Sequence, residues 1–488
     1  MGPLPTRVLV TGATGYIGRR LADRLIREEV FSVRLFVRNA AKLDPALRNA
    51  AEVFEGSTLE PGALGPALAG IDTAYYLVHS MGAGPDFPEL DRRSAENFRD
   101  ACVAAGVRRI IYLGGLGDKD TASRHLRSRI ETGEILSARP GLVQTVWLRA
   151  GIIIGSGSAS FEIIRGLVEK LPVMITPRFV QTRTQPIGVG DVIRYLAGSA
   201  RLPGAGNLVV DLGSDVMTFR EMLLRTAAVM GLKRWLIPVP VFTPRLASYW
   251  LVLMTPVPFR IASALVNGLK SESVARNDLA AALFPDIRPL GFEAAVRGAL
   301  AEVSEGQVLS AWCDSSAGEA CDVAGRDEIA ARVLKDERSF RIPDDVSARE
   351  VFDAVQGIGG RNGWYRYDWL WRIRGFVDKL LGGPGLNRGR RDAKTLRLGD
   401  SLDFWKVADF RDGRRILLAN QMKVPGEAWL EFVIEGNTLV QRALFLPRGL
   451  SGRLYWLLMK PFHALIFGGM GRAVIEKAKA AAGPRRPS

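Results

Sequence analysis

Residues 7–21 read RVLVTGATGYIGRRL: an apolar run, then Gly12, Gly15 and Gly18, then Leu21, Leu25 and Ile26 returning at helical spacing. A strand that enters a glycine-rich turn and leaves it as a helix is the opening βα unit of a dinucleotide-binding fold. Gly12 permits the tight turn, Gly15 lets backbone N–H groups approach a pyrophosphate, and Gly18 lets helix and sheet pack closely. The phosphate charge then lies at a helix N-terminus, where unpaired N–H groups and the helix dipole favour an anion. Thr14, Tyr16 and Ile17 lie between these glycines and complete the expected cofactor-binding loop.

Outward from this loop, β-branched runs at 7–11, 32–37, 52–55, 73–78, 109–113 and 145–149 alternate with amphipathic helical segments. That alternation predicts an α/β fold with a doubly wound parallel sheet over residues 1–155. Val78 closes the fourth run, where a ligand of such a sheet lies, and joins the expected cofactor contacts. Residues 156–303 are richer in Pro and Gly; a strand at 207–211 and helices at 218–230 and 292–303 are expected there, in a small lobe that shapes a substrate site. A polar stretch, 304–330, reads as a linker. Residues 331–482 then carry expected strands at 339–342, 395–398, 402–410, 414–422, 428–434 and 438–445 and a terminal helix over 454–481, which is an α+β unit; 483–488 form a tail.

A site that prefers NAD places Asp or Glu about 20 residues beyond the glycines, to accept hydrogen bonds from the ribose 2′-OH. Here Arg38 stands in that place, with Arg34 and Lys42 nearby. A guanidinium pairs with a 2′-phosphate, which a carboxylate would repel. NADP is therefore the expected cofactor, with NAD still open.

The chain carries 66 Lys and Arg against 51 Asp and Glu, a net charge of +15 and a pI near 10.0. That field favours anionic partners such as a phosphorylated cofactor or an anionic membrane surface. The cations are dispersed and no folded nucleic-acid motif is present, so nucleic acid is not an expected partner. Three cysteines, Cys102, Cys313 and Cys321, form neither a disulfide framework nor a four-ligand zinc spacing. The N-terminus lacks the regions of a signal peptide, and the apolar stretch 235–269 is interrupted by Pro238, Pro240, Pro244, Pro256 and Pro258. A cytoplasmic protein is expected, with contact to the inner face of a membrane left open.

TGATGYIG (11–18), VRLFVRNAAKL (33–43) and VRRIIYLGGLG (107–117) together resemble the atypical short-chain dehydrogenase/reductase superfamily, in its NmrA-like or extended, epimerase-like branches. YYLVHSMG (75–82), HLRSRIETGEIL (125–136) and the run 148–182 are similar to a bacterial subgroup with an additional C-terminal domain. The resemblance implies a Ser or Thr after the fifth strand and a Tyr-x-x-x-Lys pair on the following helix. This chain has Gly114 and Gly115 in the first place, and His125 and Arg129 in the second. Residues four apart share a helix face, so His125 and Arg129 keep the placement of the usual pair. An imidazole transfers protons near neutral pH, whereas Arg129 is a permanent cation suited to holding ribose or phosphate. His79, after the fourth strand, is a second proton donor candidate.

DFWKVADF (403–410), the run 414–434 and the run 439–470 resemble the START or polyketide-cyclase-like helix-grip superfamily. The resemblance implies a sheet curled around a long terminal helix, with Trp405, Trp429, Phe432, Phe445, Tyr455, Trp456, Phe462 and Phe467 lining a cavity or filling a core. The expected function is reduction of a hydrophobic carbonyl or quinone-like molecule with NADP(H). The alternatives are a non-catalytic NADP(H)-binding sensor or assembly factor, and a lipid-handling protein with a regulatory nucleotide domain.

Overall fold

A computed structural model describes residues 5–79, 86–204, 206–239, 266–269, 271–304, 333–380, 395–397, 400–422 and 424–482. The chain forms two compact units, which hold the described residues up to Ser304 and from Val333 onward. The expected linker, apart from Ser304, and the tail 483–488 lie outside the described residues, as does 240–265 within the expected apolar stretch.

The N-terminal unit is built on seven parallel strands: β1 (Thr6–Thr11), β2 (Phe31–Val37), β3 (Glu52–Glu55), β4 (Thr73–Tyr76), β5 (Arg109–Gly115), β6 (Gln144–Ala150) and β7 (Leu208–Leu212). Their order is β7-β6-β5-β4-β1-β2-β3. Strand order therefore reverses between β1 and β4, and the crevice outside their carboxyl ends is where such sheets take ligands. Both sheet faces are covered, which explains why the strands read as near-continuous apolar runs. Val8, Val10, Leu35 and Ile111 pack in one core layer, and Leu9, Ala74, Ile110 and Phe98 in the other. Helices α1 (Tyr16–Arg27), α2 (Pro61–Leu68), α3 (Phe87–Ala104), α4 (Arg124–Leu136) and α5 (Val189–Ser199) form these covers.

β7 is the seventh strand of the main sheet rather than a strand of the small lobe, because Leu208–Leu212 pairs in parallel with Val146–Ala150 of β6. β4 ends at Tyr76, two residues earlier than its apolar run suggests, and leaves Val78 and His79 beyond its carboxyl end. Helices α6 (Phe219–Val229) and α7 (Phe292–Ser304) occupy the expected positions, α6 behind a capping box formed by Thr218 and Glu221.

The C-terminal unit is a six-stranded antiparallel sheet: β8 (Leu334–Arg341), β9 (Ser401–Leu402), β10 (Trp405–Arg411), β11 (Arg415–Asn420), β12 (Gly426–Glu435) and β13 (Thr438–Pro447), in the order β8-β13-β12-β11-β10-β9. Helices α8 (Ala348–Gln356), α9 (Asp368–Leu380) and the long α10 (Gly449–Ala482) accompany it. The run expected as one strand over 402–410 is a tight hairpin, because Asp403 adopts φ 54° and its carboxylate accepts from Trp364 Nε1 at 2.8 Å. Residues 395–397 are not a strand: the Leu396 amide donates to the Gln356 side chain instead of to a neighbouring strand. Of the eight aromatic residues singled out in the sequence, Trp405, Trp429, Phe432, Phe445 and Phe467 are buried core, whereas Phe462 is exposed.

Arg109 ties the main sheet to the end of α5. Its guanidinium donates to Gln144 Oε1 at 2.7 Å and to the carbonyls of Ser199, Ala200 and Leu202 at 3.0, 2.9 and 2.5 Å. A cation there satisfies carbonyls that the helix leaves unpaired and complements its dipole. Arg109→Met should lower the stability of the N-terminal unit by about 2–4 kcal/mol, read from the urea midpoint. A change under about 0.5 kcal/mol, the level of ordinary surface substitutions, would contradict this role.

Candidate functional site

The crevice begins with the turn between β1 and α1. Gly12 has φ 70°, and a Cβ there would lie 2.6 Å from the carbonyl oxygen of Leu77. A Cβ on Gly18 would lie 2.2 Å from the carbonyl oxygen of Gly12. Both positions accept only glycine, the first for its conformation and both for the approach of backbone to backbone. Gly15 caps α1 without a side-chain bond, so no side chain of the cap residue competes for the first-turn N–H groups. Thr11 staples the crevice: its hydroxyl donates to the Tyr75 carbonyl at 2.8 Å and accepts from the Leu77 amide at 3.0 Å.

The side chains of the loop divide in role. Thr14 is half-buried on the turn, and Ile17 packs against the core. Tyr16 turns its ring under the Arg20 guanidinium, and its hydroxyl is the atom a Cβ on Gly155 would meet at 2.5 Å. Burial pushes the Tyr16 hydroxyl well above its ordinary pKa of 10.0, so it is a neutral packing group. Val78 is half-buried just past β4.

Arg38 is exposed immediately after β2, and Lys42 is half-buried on the short turn that follows. Burial first, and then the charge of Arg38, hold the Lys42 ammonium below its ordinary pKa. Two cations thus repel one another just beyond the end of β2. The Glu55 carboxylate accepts from the Ala40 amide and pins this turn. Arg34 points elsewhere, bonded to Glu52 at 2.7 Å and to the carbonyls of Ala67 and Ala69.

Across the crevice, the structure brings both candidate histidines together and adds an acid. His79 Nδ1 lies 2.8 Å from Asp91 Oδ2, and His79 Nε2 lies 3.0 Å from His125 Nδ1. Ser128 donates its hydroxyl to the same Asp91 oxygen at 3.0 Å. Asp91 is buried on α3, His125 and Ser128 lie on α4, and His79 follows β4. Burial, His79 and Arg129 push the His125 pKa down to about 2, against which Asp91 acts weakly. His125 also lies in the first turn of α4, whose dipole disfavours an imidazolium. Sequence reasoning missed Asp91 and Ser128. The signal was a polar residue on a buried stripe, since Asp91, Ser94, Ala95, Phe98 and Cys102 recur at helical spacing on the inner face of α3.

Arg129 donates to the Leu113 carbonyl at 2.5 Å, at the carboxyl end of β5, while Tyr112 donates its hydroxyl to the Arg129 carbonyl at 2.9 Å. The place of the usual hydroxyl residue is filled. A Cβ on Gly114 would meet Trp147 Nε1 at 2.3 Å, and one on Gly115 would meet a Leu126 methyl at 2.7 Å. The indole and the leucine occupy the volume that a Ser or Thr side chain needs. A depression of about 720 Å³ between α2 and α3, lined by Pro61, Gly65, Asn97 and Ala101, holds none of these residues.

Residues 12–139 match the model of a family described as NAD(P)H-binding. The N-terminal unit is an NAD(P)-binding Rossmann domain. Residues 329–470 match a family described as a protein of unknown function, DUF2867. The chain is 25% identical over 231 residues to a (4-alkanoyl-5-oxo-2,5-dihydrofuran-3-yl)methyl phosphate reductase of Streptomyces griseus, covering 46% of this chain and 74% of that protein. It is 28% identical over 240 residues to the ceramide reductase of Caulobacter vibrioides, covering 48% and 73%. Among solved structures, the triphenylmethane reductase of Citrobacter sp. complexed with NADP(H) aligns with a TM-score of 0.48 and 22% identity over 60% of this chain and 99% of that one.

The depressed His125 makes the Rossmann domain sensitive to acid. An unfolded chain takes this proton near the ordinary value of 6.5, the folded one only near 2, so the stability it provides is complete above 6.5 and drains away as pH falls toward 2. Between those values this group should contribute a slope of up to about 1.4 kcal/mol per pH unit. His125→Phe should flatten the dependence of unfolding free energy on pH by that amount. Identical slopes in the two proteins would contradict the burial of a neutral imidazole.

Proposed function

We propose that the Rossmann domain is an NADPH-dependent reductase of a hydrophobic carbonyl or quinone-like substrate, in which Asp91, His79 and His125 deliver the proton. The observation that carries this reading is the hydrogen-bonded chain from a buried carboxylate through two imidazoles at the carboxyl edge of the sheet. NADPH would supply the hydride, and the backbone of Gly12, Gly15 and Gly18 would hold it, with Arg38 and Lys42 to meet its 2′-phosphate. Two relatives are named reductases, one of them of ceramide, which supports reduction and an apolar substrate.

The proton path follows from the tautomers. Ionised Asp91 accepts from His79 Nδ1–H, so a single proton decides the contact between His79 Nε2 and His125 Nδ1. When the pair is neutral, His125 donates Nδ1–H to His79 and its Nε2 is a bare base. When the pair carries one extra proton, His79 donates Nε2–H, and His125 Nε2 bears a hydrogen that it can give to a substrate oxygen. The positive charge then rests on His79 against Asp91, and His125 conducts the proton while neutral. Arg129, anchored on Leu113, opposes charge on His125 and so keeps it in this role.

His125→Phe and His79→Phe should each leave NADPH affinity within a few-fold and lower turnover by about 10² to 10⁴ on a validated member of a panel of quinones, enones and aldehydes. Asp91→Asn should shift the high-pH decline of turnover to lower pH, because the carboxylate that favours a cationic pair is gone. Unchanged turnover in both histidine variants would remove the relay. A protein that binds NADPH yet turns over nothing in the panel, and responds to a partner, would establish the sensor reading, which the filled position at Gly114 favours.

NADPH should bind more tightly than NADH, and Arg38→Asp should weaken NADPH by about ten- to a hundred-fold, the worth of one charge-assisted contact. Isothermal titration with both nucleotides checks this, and tighter NADH binding by the unmodified chain would refute it. For the C-terminal unit, the antiparallel sheet and long terminal helix support a helix-grip module that takes an apolar ligand.

A further inference from the structure

We infer that the C-terminal unit docks on the surface of an anionic lipid bilayer through the outward faces of α9 and the first half of α10. α10 is apolar on two opposite faces. Phe467, Met470, Val474 and Ala478 recur at helical spacing on the buried side. Leu450, Leu454, Leu457, Leu458, Phe462 and Leu465 fall on the opposite side and are exposed, Leu450 by 84% and Leu457 by 65%. Farther along, the outward positions become Arg472, Glu476 and Lys479. The fold is therefore satisfied by a polar outer face on this helix, and the apolar half serves something outside it.

α9 runs antiparallel beside this same half. A Cβ on Gly469 would meet the Tyr367 ring at 2.8 Å, while Arg374 bonds to Tyr455 and approaches Met459 Sδ at 3.6 Å. Trp369, Ile373, Phe376 and Val377 lie on one face of α9 and are all exposed, Trp369 by 58%. Two neighbouring helices thus present adjoining apolar strips to solvent, far more than scattered surface leucines would explain.

Charge selects the occupant. Arg372, Arg448, Arg453 and Lys460 are exposed around these strips, and α10 contains no Asp or Glu before Glu476. Of the acids on α9, Asp378 is buried and Asp368 lies at the far N-terminal end. An apolar strip edged by cations and carrying a tryptophan suits the boundary between acyl chains and anionic headgroups. Among the described residues no helix is long and apolar enough to cross a membrane, so the contact lies in the plane of the interface.

The test is co-sedimentation of the full chain with vesicles of equal parts phosphatidylglycerol and phosphatidylcholine, and with phosphatidylcholine alone. The protein should pellet with the anionic vesicles and weakly with neutral ones, and high salt should release it. Leu457→Glu with Phe462→Glu should reduce partitioning by about tenfold or more, and Arg453→Glu with Lys460→Glu should abolish the preference for anionic lipid. These side chains are exposed, so thermal melting and NADPH affinity should not change, which separates this result from the fate of the reductase reading. Failure of the unmodified chain to bind anionic vesicles, or equal binding by the Leu457 and Phe462 variant, would overturn the inference. So would a chain that self-associates through this face, with the same variant monomeric and no lipid binding.

Discussion

A carboxylate sealed from water must be met by donors, and Asp91 is met by the His79 imidazole and the Ser128 hydroxyl. That requirement links α3, α4 and the segment after β4 at one point on the carboxyl edge of the sheet. It also places His79 Nε2 against His125 Nδ1. Thr11, through its hydroxyl, and the glycine turn, through close backbone approach, hold the opposite wall of the crevice. One wall is thus a close-packed glycine turn and the other a hydrogen-bonded chain of ionisable side chains.

What was legible in the sequence follows from how local each signal is. The glycine spacing and the strand runs are properties of a few consecutive residues, and they gave the sheet and the cofactor loop. β7 reads as part of the small lobe because its pairing with β6 is a tertiary choice that a short apolar run does not record. The hairpin at Asp403 escaped because a positive φ at an aspartate depends on a tryptophan 39 residues earlier in the chain. His79 and His125 are each readable as a candidate proton donor, but 46 residues separate them, and their contact exists only in the fold. Arg34 was read as part of the cofactor's cationic surroundings, yet its strand position turns it toward Glu52.

The net charge of +15 is unevenly used. Arg20 is bound to Ser156 and Glu302, Arg149 to Asp211, and Arg109 to helix carbonyls. Such cations are internal ties and project little field. Among the described residues, exposed Arg38 and half-buried Lys42 stand beside the crevice, and Arg372, Arg448, Arg453 and Lys460 are exposed around the apolar strips of α9 and α10.

His79 and His125 meet nitrogen to nitrogen, and burial first of all holds His125 neutral. The chain has three histidines, so long-range ¹H–¹⁵N correlation spectra of histidine-labelled protein can follow each ring through a pH titration. The His125 ring should keep one bare nitrogen at every pH well above 2 at which the protein is folded. A His125 ring that gains its second proton near the ordinary value of 6.5 would contradict this.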